Sequence, residues 1–293
     1  MQISLVLSTK NRVKEVGDFL KSLASQIYQN FELILVDQNL DNCLEELVKI
    51  YSKKFPILHL KQSQSGVSRG RNLGRLYIKG CLVAFPDDDS IYPPEILTQV
   101  VDFFHNQPNY DGVIGRVYEL EEDQNAFLYC GDDHSGLVDL ERALSIGITH
   151  AMFYRSSMVK TIMFDETMGP GAGTSWGCGD DIDYLFRCIN ADLKIYYNPQ
   201  LIVRHPNPFK IYNFPQLLKR EYHYGRGNGY LMSNYFSRNF VINKILQDIP
   251  YIFITLFQGQ WKYCAYIMAT IWGMSLGYWD SFNKIIKTQT NNI

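Results

Sequence analysis

The sequence predicts an α/β fold in which helices cover both faces of a mostly parallel sheet, followed by a helical, aromatic C-terminal extension. Three observations support this prediction. Short runs of Ile, Leu and Val alternate with stretches whose apolar residues recur at helical spacing, a pattern typical of β-α-β units. Polar residues follow the apolar runs, and ligands of open α/β sheets bind where the strands end. Beyond His205 the composition becomes aromatic and apolar.

Four strands and three helices are predicted in the first half of the chain. Residues 3–8 and 31–37 are mainly apolar runs, as expected for strands buried on both faces of a parallel sheet. Between them, apolar residues from Val13 to Leu23 recur every three or four positions, so a helix there can place one apolar stripe on the sheet. The same reasoning predicts further helices near 44–51 and 69–78, and further strands at 57–60 and 82–85.

The second half is less regular. Strands are predicted at 112–118 and 193–197, and residues 201–204 are also strand-like. A loop from Gly169 to Gly179 contains five glycines and leads into a helix predicted from Asp180 to about Ile189. The predicted domains are an α/β domain at 1–206, with halves 1–118 and 119–206, and an extension at 207–293.

Composition limits the class of protein. The 293 residues are 46% hydrophobic and 20% charged, which is typical of a globular chain. The formal net charge of −2 argues against a nucleic-acid partner, because such binding requires clustered Lys and Arg. The six cysteines form no close pairs, so reduced, mostly buried thiols are expected. The N-terminus has no signal-peptide pattern, which favours a cytoplasmic location.

An acidic run, Asp87 to Asp89, follows the fourth predicted strand. Three consecutive carboxylates repel one another unless a cation or hydrogen-bond donors compensate. In an extended turn Asp87 and Asp89 point to one side and Asp88 to the other. The first pair can therefore bind Mg²⁺ or Mn²⁺ and leave positions for diphosphate oxygens. The alternative is a turn that caps a helix beginning near Pro93.

A second acidic cluster, Asp180, Asp181 and Asp183, follows the glycine-rich loop. A carboxylate at the start of a helix is stabilised in its ionised form by the helix dipole, so it can act as a general base. The alternative is a structural N-cap. The loop before it contains Trp176 and is a candidate for closing over a ligand.

Several basic or imidazole side chains are predicted at the same edge of the sheet. His205 follows the strand-like residues 201–204 and is either a metal ligand or a structural histidine. The basic residues of the strand-end loops can pair with phosphate, or they are surface charges. These basic residues are Lys10, Arg12, Arg69 and Arg71.

Taken together, these stretches resemble family 2 of the inverting glycosyltransferases, which have the GT-A fold. The resemblance spans residues 3–206 and departs from the family pattern at Asn39, Ser90 and Asp180, where Ser, an acid and Glu are common. In chain order, the resembling stretches are the first nucleotide loop at 8–12, the second at 37–41, the Gly-x-Ser-x-Ala-Arg-Asn-x-Gly stretch at 66–74, the Asp-x-Asp metal motif at 86–89 and the Gly-Glu-Asp segment at 176–187.

The resemblance implies roles for the matched residues. Asp181 is the expected catalytic base. The expected metal ligands for Mn²⁺ or Mg²⁺ are Asp89 and Asp87, with His205 as a further candidate. The residues expected in the acceptor-side loop are Trp176, Gly179 and Asp180. The residues expected to contact the donor nucleotide are Thr9, Asn11, Arg12, Asp37, Asn39, Arg71, Asn72, Asp87 and Asp88.

The implied activity is transfer of a sugar from a nucleoside-diphosphate sugar, expected to be a UDP-sugar, to a hydroxyl of a saccharide or lipid-linked saccharide. The metal would stabilise the charge that grows on the diphosphate. Asp181 would take the acceptor proton, which gives inversion by a single displacement. The implied setting is polysaccharide assembly at the inner face of the cell membrane.

The tail after residue 206 allows two interpretations. Residues 263–279 contain no charge but are shorter than the roughly 20 residues of a transmembrane helix. Their aromatic ends and interior glycines also suit an interfacial segment. Residues 248–279 are therefore expected either to associate with a membrane or to form a helical hairpin that packs on the α/β domain or on a second subunit. Arg226, flanked by glycines, is a candidate phosphate contact.

Three other functions compete with this one. A metal-dependent nucleotidyltransferase usually has a glycine-rich phosphate loop after its first strand, and residues 8–12 contain no glycine. An inactive relative that only binds the nucleotide sugar would not need Asp87, Asp89 and Asp181 together. A phosphotransferase would use Asp87 as a nucleophile, and trapping of an intermediate on it would favour that class.

Overall fold

The computed structural model describes residues 1–121 and 132–290, with side chains described as far as residue 281. The α/β class is confirmed, because an eight-stranded, mixed sheet is combined with helices and a helical C-terminal region. The chain forms two compact units. The sheet unit comprises Met1–Asp165 and Asp181–Pro208, and the helical unit comprises Glu166–Asp180 and Phe209–Ile293. The division of residues 1–206 into two halves stays a prediction.

The first half of the sheet unit follows the predicted alternation of strands and helices. The four strands pair in parallel in the spatial order β3-β2-β1-β4. Helix α1 buries the apolar stripe expected from its spacing, including Phe19 and Leu20. The elements are β1 (Ile3–Thr9), α1 (Val13–Ala24), β2 (Phe31–Asp37), α2 (Glu45–Tyr51), β3 (Ile57–Lys61), α3 (Val67–Arg75), β4 (Leu82–Ala84) and α4 (Ile96–Asn106).

The register of these strands brings their carboxyl ends together. Thr9 on β1 is aligned with Asp37 on β2, and Asp37 is aligned with Lys61 on β3. The three side chains that end the strands therefore lie at one edge, where the loops carrying the predicted site residues begin. The buried interior of the sheet is formed by residues such as Leu5 and Leu33, each 0% exposed.

The second half contains an antiparallel strand that was not predicted. This strand, β7, lies between β4 and β5 and runs antiparallel to both. Its first residue consequently lies at the edge where the parallel strands end. The elements are β5 (Gly112–Tyr118), β6 (Gly136–Leu137), α5 (Leu140–Ile146), a 3-10 turn (Thr149–Ala151), β7 (Met152–Arg155), α6 (Ser156–Val159), α7 (Asp180–Asn190) and β8 (Ile195–Arg204). The predicted strand at 193–197 and the strand-like residues 201–204 form one strand, β8.

The helical unit contains the long helices of the tail. Helix α9 begins with a capping box, in which Asn213 and Gln216 exchange side-chain to backbone hydrogen bonds. This cap satisfies backbone donors that the first helical turn leaves free. The helices are α8 (Pro208–Ile211), α9 (Phe214–Tyr235), α10 (Arg238–Phe257) and α11 (Trp261–Thr290).

The glycines of the tail allow α9 and α11 to pack with their backbones in contact. A Cβ added to Gly277 would lie 1.9 Å from the carbonyl oxygen of Arg226, and one added to Gly229 would lie 2.0 Å from that of Met274. Such distances leave no room for a side chain. The interior glycines thus serve helix packing, and their presence does not by itself indicate an interfacial segment.

The cysteines in the described part of the chain are free thiols. Three of them are buried, namely Cys178, Cys188 and Cys264. Cys130, which the prediction of reduced thiols also includes, lies outside the described residues.

Candidate active site

The loop after β1 is tied to the acidic run after β4. The Thr9 hydroxyl donates a hydrogen bond of 2.7 Å to Asp88. The Arg12 guanidinium pairs with Asp89 and lies 3.6 Å from Asp88. Asn11 adopts a left-handed backbone conformation with φ 60, which asparagine tolerates better than most residues. The structure therefore brings Thr9, Arg12 and the acidic run together as predicted neighbours.

Asp37 is held by donors at the end of β2 and is 0% exposed. One carboxylate oxygen accepts from His59 at 3.0 Å and from Lys61 at 2.9 Å, and the other accepts from Asn39. Burial acts to raise the pKa of Asp37, but the hydrogen bonds from Lys61, Asn39 and His59 outweigh it and lower the pKa. Contact of Asp37 with a nucleotide base stays a prediction, and His59 and Lys61 are neighbours that sequence reasoning missed.

Arg71 on α3 connects two carboxylates from distant parts of the sequence. Its guanidinium is 2% exposed and lies 3.1 Å from Asp181 and 2.7 Å from Asp87. The same group lies over the Phe164 ring at 5.2 Å. The Asn72 side-chain amide donates to the Phe164 carbonyl and accepts from the Phe164 backbone N–H, both at 3.0 Å, and so holds the backbone that carries this ring. Arg71 is thus a buried cation between Asp87 and Asp181, and Asn72 supports the residue that its guanidinium packs against.

Asp87, His150 and His205 form a group of side chains that could hold a metal ion. One ligand atom from each lies within 4.8 Å of the others. The His150 Nδ1 is 3.0 Å from Asp87, and the two imidazole rings stack with centroids 4.8 Å apart. Asp89 lies 3.1 Å from the His205 Nε2. Direct metal ligation by Asp89 stays a prediction, since this close group contains Asp87 rather than Asp89.

The hydrogen bonding of this group fits a divalent cation. The His205 Nδ1 donates to the Pro206 carbonyl at 2.7 Å. In the neutral ring, the lone pair is then on Nε2, which faces Asp89 in this structure and would be the atom that binds a metal ion, as in many sites where a carbonyl fixes the tautomer. Burial acts to raise the pKa of Asp87, but His150 and Arg71 lower it. An ionised carboxylate beside two imidazoles suits a transition metal such as Mn²⁺.

His150 was not predicted as a site residue because its strand was not predicted. It belongs to the 3-10 turn that precedes β7, and β7 is antiparallel. In an all-parallel sheet, the residue before a strand would lie at the opposite edge. The sequence feature that could have located His150 is the polar pair Thr149 and His150, which stands directly before an apolar run.

Asp181 lies in the first turn of α7, as predicted. It accepts hydrogen bonds from Arg71 and from the Thr149 hydroxyl. Burial raises the pKa of Asp181, with Arg71 opposing this shift and Asp87 adding to it. A carboxylate with a raised pKa is a stronger base than an ordinary aspartate. The Asp181 side chain is 27% exposed, so a hydroxyl group can reach it.

Four more residues with predicted roles lie in the helical unit. Trp176 stacks on Tyr230 of α9 with ring centroids 3.8 Å apart. Gly179 has a φ of 87, which favours glycine, and Asp180 is 4% exposed. Arg226 forms an ion pair with Asp280 at 2.7 Å. Roles for these residues with the acceptor or the donor phosphates stay predictions.

Replacing Asp88 with Asn is expected to stabilise the metal-free protein at pH 8 and to have little effect near pH 4. Burial and the neighbouring carboxylates raise the pKa of Asp88 to about 7, although Arg12 and Thr9 act in the opposite direction. Between the unfolded value of about 4 and pH 7, the folded state binds more protons, so stability falls as pH rises. The Asn variant has no carboxyl group at this position, so it does not lose stability in this way as the pH rises.

Melting temperatures measured in EDTA from pH 4 to pH 9 test this expectation. Asp102→Asn, at an exposed position of α4, is the control for the substitution itself. Parallel pH profiles for the wild type and Asp88→Asn would contradict the raised pKa.

Comparison with known proteins identifies the family. The model of "Glycosyl transferase family 2" matches residues 4–162, which is more than half of the chain. The chain belongs to glycosyl transferase family 2. The matched region includes the acidic run, Arg71 and His150.

Similar proteins support this assignment. An "Uncharacterized glycosyltransferase" of Haemophilus influenzae is 33% identical over 108 residues, 36% of this chain and 36% of that protein. The "Minor teichoic acid biosynthesis protein GgaB" of Bacillus subtilis is 25% identical over 171 residues, 56% of this chain and 19% of that protein. The matches thus cover only about a third and a fifth of these relatives.

Solved structures share the GT-A fold. TarS 1–349 of S. aureus has a TM-score of 0.61 at 16% identity, covering 100% of this chain and 92% of that one. The mannosyltransferase PcManGT of Pyrobaculum calidifontis, solved with GDP-Man and Mn²⁺, has a TM-score of 0.62 at 12% identity, with coverages of 95% and 87%. At these identities the likeness shows the fold alone.

Proposed function

We propose that this chain transfers a sugar, with inversion, from a uridine-diphosphate sugar to a hydroxyl of a saccharide or lipid-linked saccharide. The observation that carries the proposal is the Arg71 bridge between Asp181 and Asp87. It holds a candidate base next to a carboxylate of the candidate metal group. The TarS structures with UDP and with UDP-GlcNAc support a uridine donor, whereas the GDP-Man complex of PcManGT makes guanosine the main competitor.

The residues around Asp181 suit it to remove a proton. The acceptor oxygen forms a bond to the anomeric carbon as the bond from that carbon to the phosphate oxygen breaks, and the acceptor proton moves to Asp181. Arg71 and Thr149 fix the orientation of the carboxylate. The raised pKa of Asp181 makes the carboxylate a better proton acceptor.

The leaving nucleoside diphosphate gains negative charge as the bond breaks. When bound by Asp87, His150 and His205, a divalent cation would supply positive charge at this point. Arg12 lies beside Asp88 and Asp89, where its guanidinium can also pair with phosphate oxygens. No protein acid is required for departure, because the charge is neutralised by cations.

A panel of nucleotide sugars, each with Mn²⁺ or Mg²⁺ and simple saccharide acceptors, tests the function. We expect nucleoside diphosphate release with one donor, an inverted anomeric centre in the product by NMR, and no release in EDTA. Donor binding without release, for every donor and acceptor, would favour an inactive relative. Formation of a nucleoside triphosphate and a sugar 1-phosphate when pyrophosphate is added to the nucleotide sugar, without nucleoside diphosphate release, would favour a nucleotidyltransferase.

His150→Ala is expected to weaken Mn²⁺ binding by at least about tenfold, in line with losses seen at metal-site residues. The reason is that one of three side chains within 4.8 Å of one another is lost. Titration followed by the Mn²⁺ EPR signal measures this without donor or acceptor. His105→Ala, at an exposed position of α4, is the matched control. Equal Mn²⁺ affinities for His150→Ala and the wild type would show that His150 is not a metal ligand.

A further inference from the structure

Helix α11 presents a row of large aromatic and apolar side chains to solvent. Trp261, Met268, Trp272 and Trp279 are 55–63% exposed. Their spacing of seven, four and seven residues places them on one helical face. Three of the four tryptophans of the chain therefore lie on this face. The helix faces α9 with its glycines. Trp261 also contacts Phe214 at the start of α9, yet each of the three tryptophans is more than half exposed.

Helix α10 carries a second exposed apolar row. Ile242, Leu246, Phe253 and Phe257 lie on one helical face by their spacing, and their exposure ranges from 39% to 89%. Among the described helices, α10 alone is long and apolar enough to cross a membrane. Its most apolar stretch of 18 residues has a mean hydropathy of 1.4, and 6% of that stretch is buried. Core helices of soluble proteins also meet this criterion, but they are mostly buried.

The two rows meet in a groove. Phe253 of α10 and both Met268 and Trp272 of α11 line this groove of about 460 Å³. A second apolar groove, of about 620 Å³, lies on the other side of Met268 and Trp272 and includes Lys219 of α9. The rows and grooves thus form one continuous surface, the aromatic face. Contiguous apolar surfaces of this kind mark interaction sites.

The charge of the tail differs in sign from that of the rest of the chain. Residues 209–293 contain nine Lys and Arg against three Asp and Glu, whereas residues 1–208 contain 19 against 27. Lys219 lies in a groove of the aromatic face. The Lys262 ammonium lies over the Trp261 ring, 5.7 Å from its centroid. The tail is therefore basic where it is most apolar.

We propose that the aromatic face binds the surface of an anionic lipid bilayer, with α10 and α11 lying in the interface. Tryptophan is enriched where hydrocarbon meets headgroups, and basic residues are attracted to anionic lipids. Helix α10 has polar residues such as Asn243, Lys244 and Gln247 outside its apolar row, which suits an interfacial rather than a spanning helix. Two copies of the chain meeting through this face would bring like charges together, which disfavours self-association.

Flotation of the full chain with vesicles tests the proposal. Vesicles of phosphatidylcholine with 30% phosphatidylglycerol are compared with pure phosphatidylcholine vesicles, at about 0.05 M and 0.5 M salt. We expect binding to the anionic vesicles that weakens with salt, together with a blue shift of tryptophan emission. Phe253→Glu with Trp272→Glu should lower the bound fraction at least about tenfold. Lys219→Gln with Lys262→Gln should lower it about tenfold on anionic vesicles only.

Ile27→Glu, which changes a residue of the sheet unit that is 68% exposed, is the matched control and should bind like the wild type. Circular dichroism and Mn²⁺ binding confirm that each variant is folded. The proposal is overturned if the wild type floats with neither kind of vesicle. It is also overturned if sedimentation equilibrium shows a dimer that Phe253→Glu with Trp272→Glu dissociates, because the aromatic face would then bind a second copy.

Discussion

Replacing Asp181 with Asn is expected to lower the turnover number by about 10²- to 10⁴-fold, the range typical of general-base catalysis. The amide cannot accept the proton that the acceptor hydroxyl loses. Donor and Mn²⁺ binding should stay within about twofold of the wild type, because Arg71 keeps its contact with Asp87. In the wild type, the rate should fall as pH drops through the raised pKa of Asp181, since the protonated form is inactive.

Rapid-quench measurement of transfer, together with calorimetry of donor binding, separates the two effects. Asp192→Asn is the matched control, because it makes the same chemical change in an exposed left-handed residue beyond α7. Transfer at the wild-type rate by Asp181→Asn would show that Asp181 is not the general base. A parallel loss of donor affinity would assign Asp181 to donor binding.

Replacing Gly277 with Ala is expected to destabilise the helical unit by about 2–4 kcal/mol, at the upper end of overpacking effects. The added Cβ would lie 1.9 Å from the Arg226 carbonyl oxygen and 2.9 Å from the Tyr230 nitrogen. Both are backbone atoms, so α9 and α11 must separate along their length. Urea unfolding followed by tryptophan emission reports on this unit, since all four tryptophans lie in it.

Gly17→Ala serves as the control for this substitution. Gly17 lies in α1, where an added Cβ would lie 3.7 Å from a Leu47 methyl group, an ordinary contact. Alanine favours the helix by up to about 1 kcal/mol over glycine, so the control should be neutral or stabilising. An unfolding midpoint for Gly277→Ala equal to that of the wild type would mean that the close approach of α9 and α11 is wrong.

The sequence was sufficient to predict the parallel part of the sheet and the residues at its edge. Strand β1 and the run from Phe31 to Asp37 are continuous in hydrophobicity, and parallel strands place their carboxyl ends together. This is why Thr9, Arg12 and the acidic run were expected close to one another. The pairing of Asp181 with Arg71 spans 110 positions, and only the resemblance to a family linked these motifs.

Two features could not be read from the sequence for physical reasons. Strand direction is set by pairing rather than by hydrophobic pattern, so the reversal of β7 and the resulting position of His150 were missed. A glycine in an apolar helix fits close helix packing in water or in lipid equally well. The contact of Gly277 with the Arg226 backbone distinguishes these cases only once the partner helix is known.

The loop before Asp181 belongs to the helical unit, and Asp181 itself begins the second segment of the sheet unit. Trp176 and Cys178 of that loop contact Tyr230 and Tyr224 of α9. The chain therefore passes from the helical unit to the sheet unit at the peptide bond between Asp180 and Asp181, directly before the candidate base. For protein engineering, residues 166–180 and the tail should therefore be exchanged together. A chimaera that exchanges only residues 209–293 would separate Trp176 from its stacking partner and disturb the backbone that precedes Asp181.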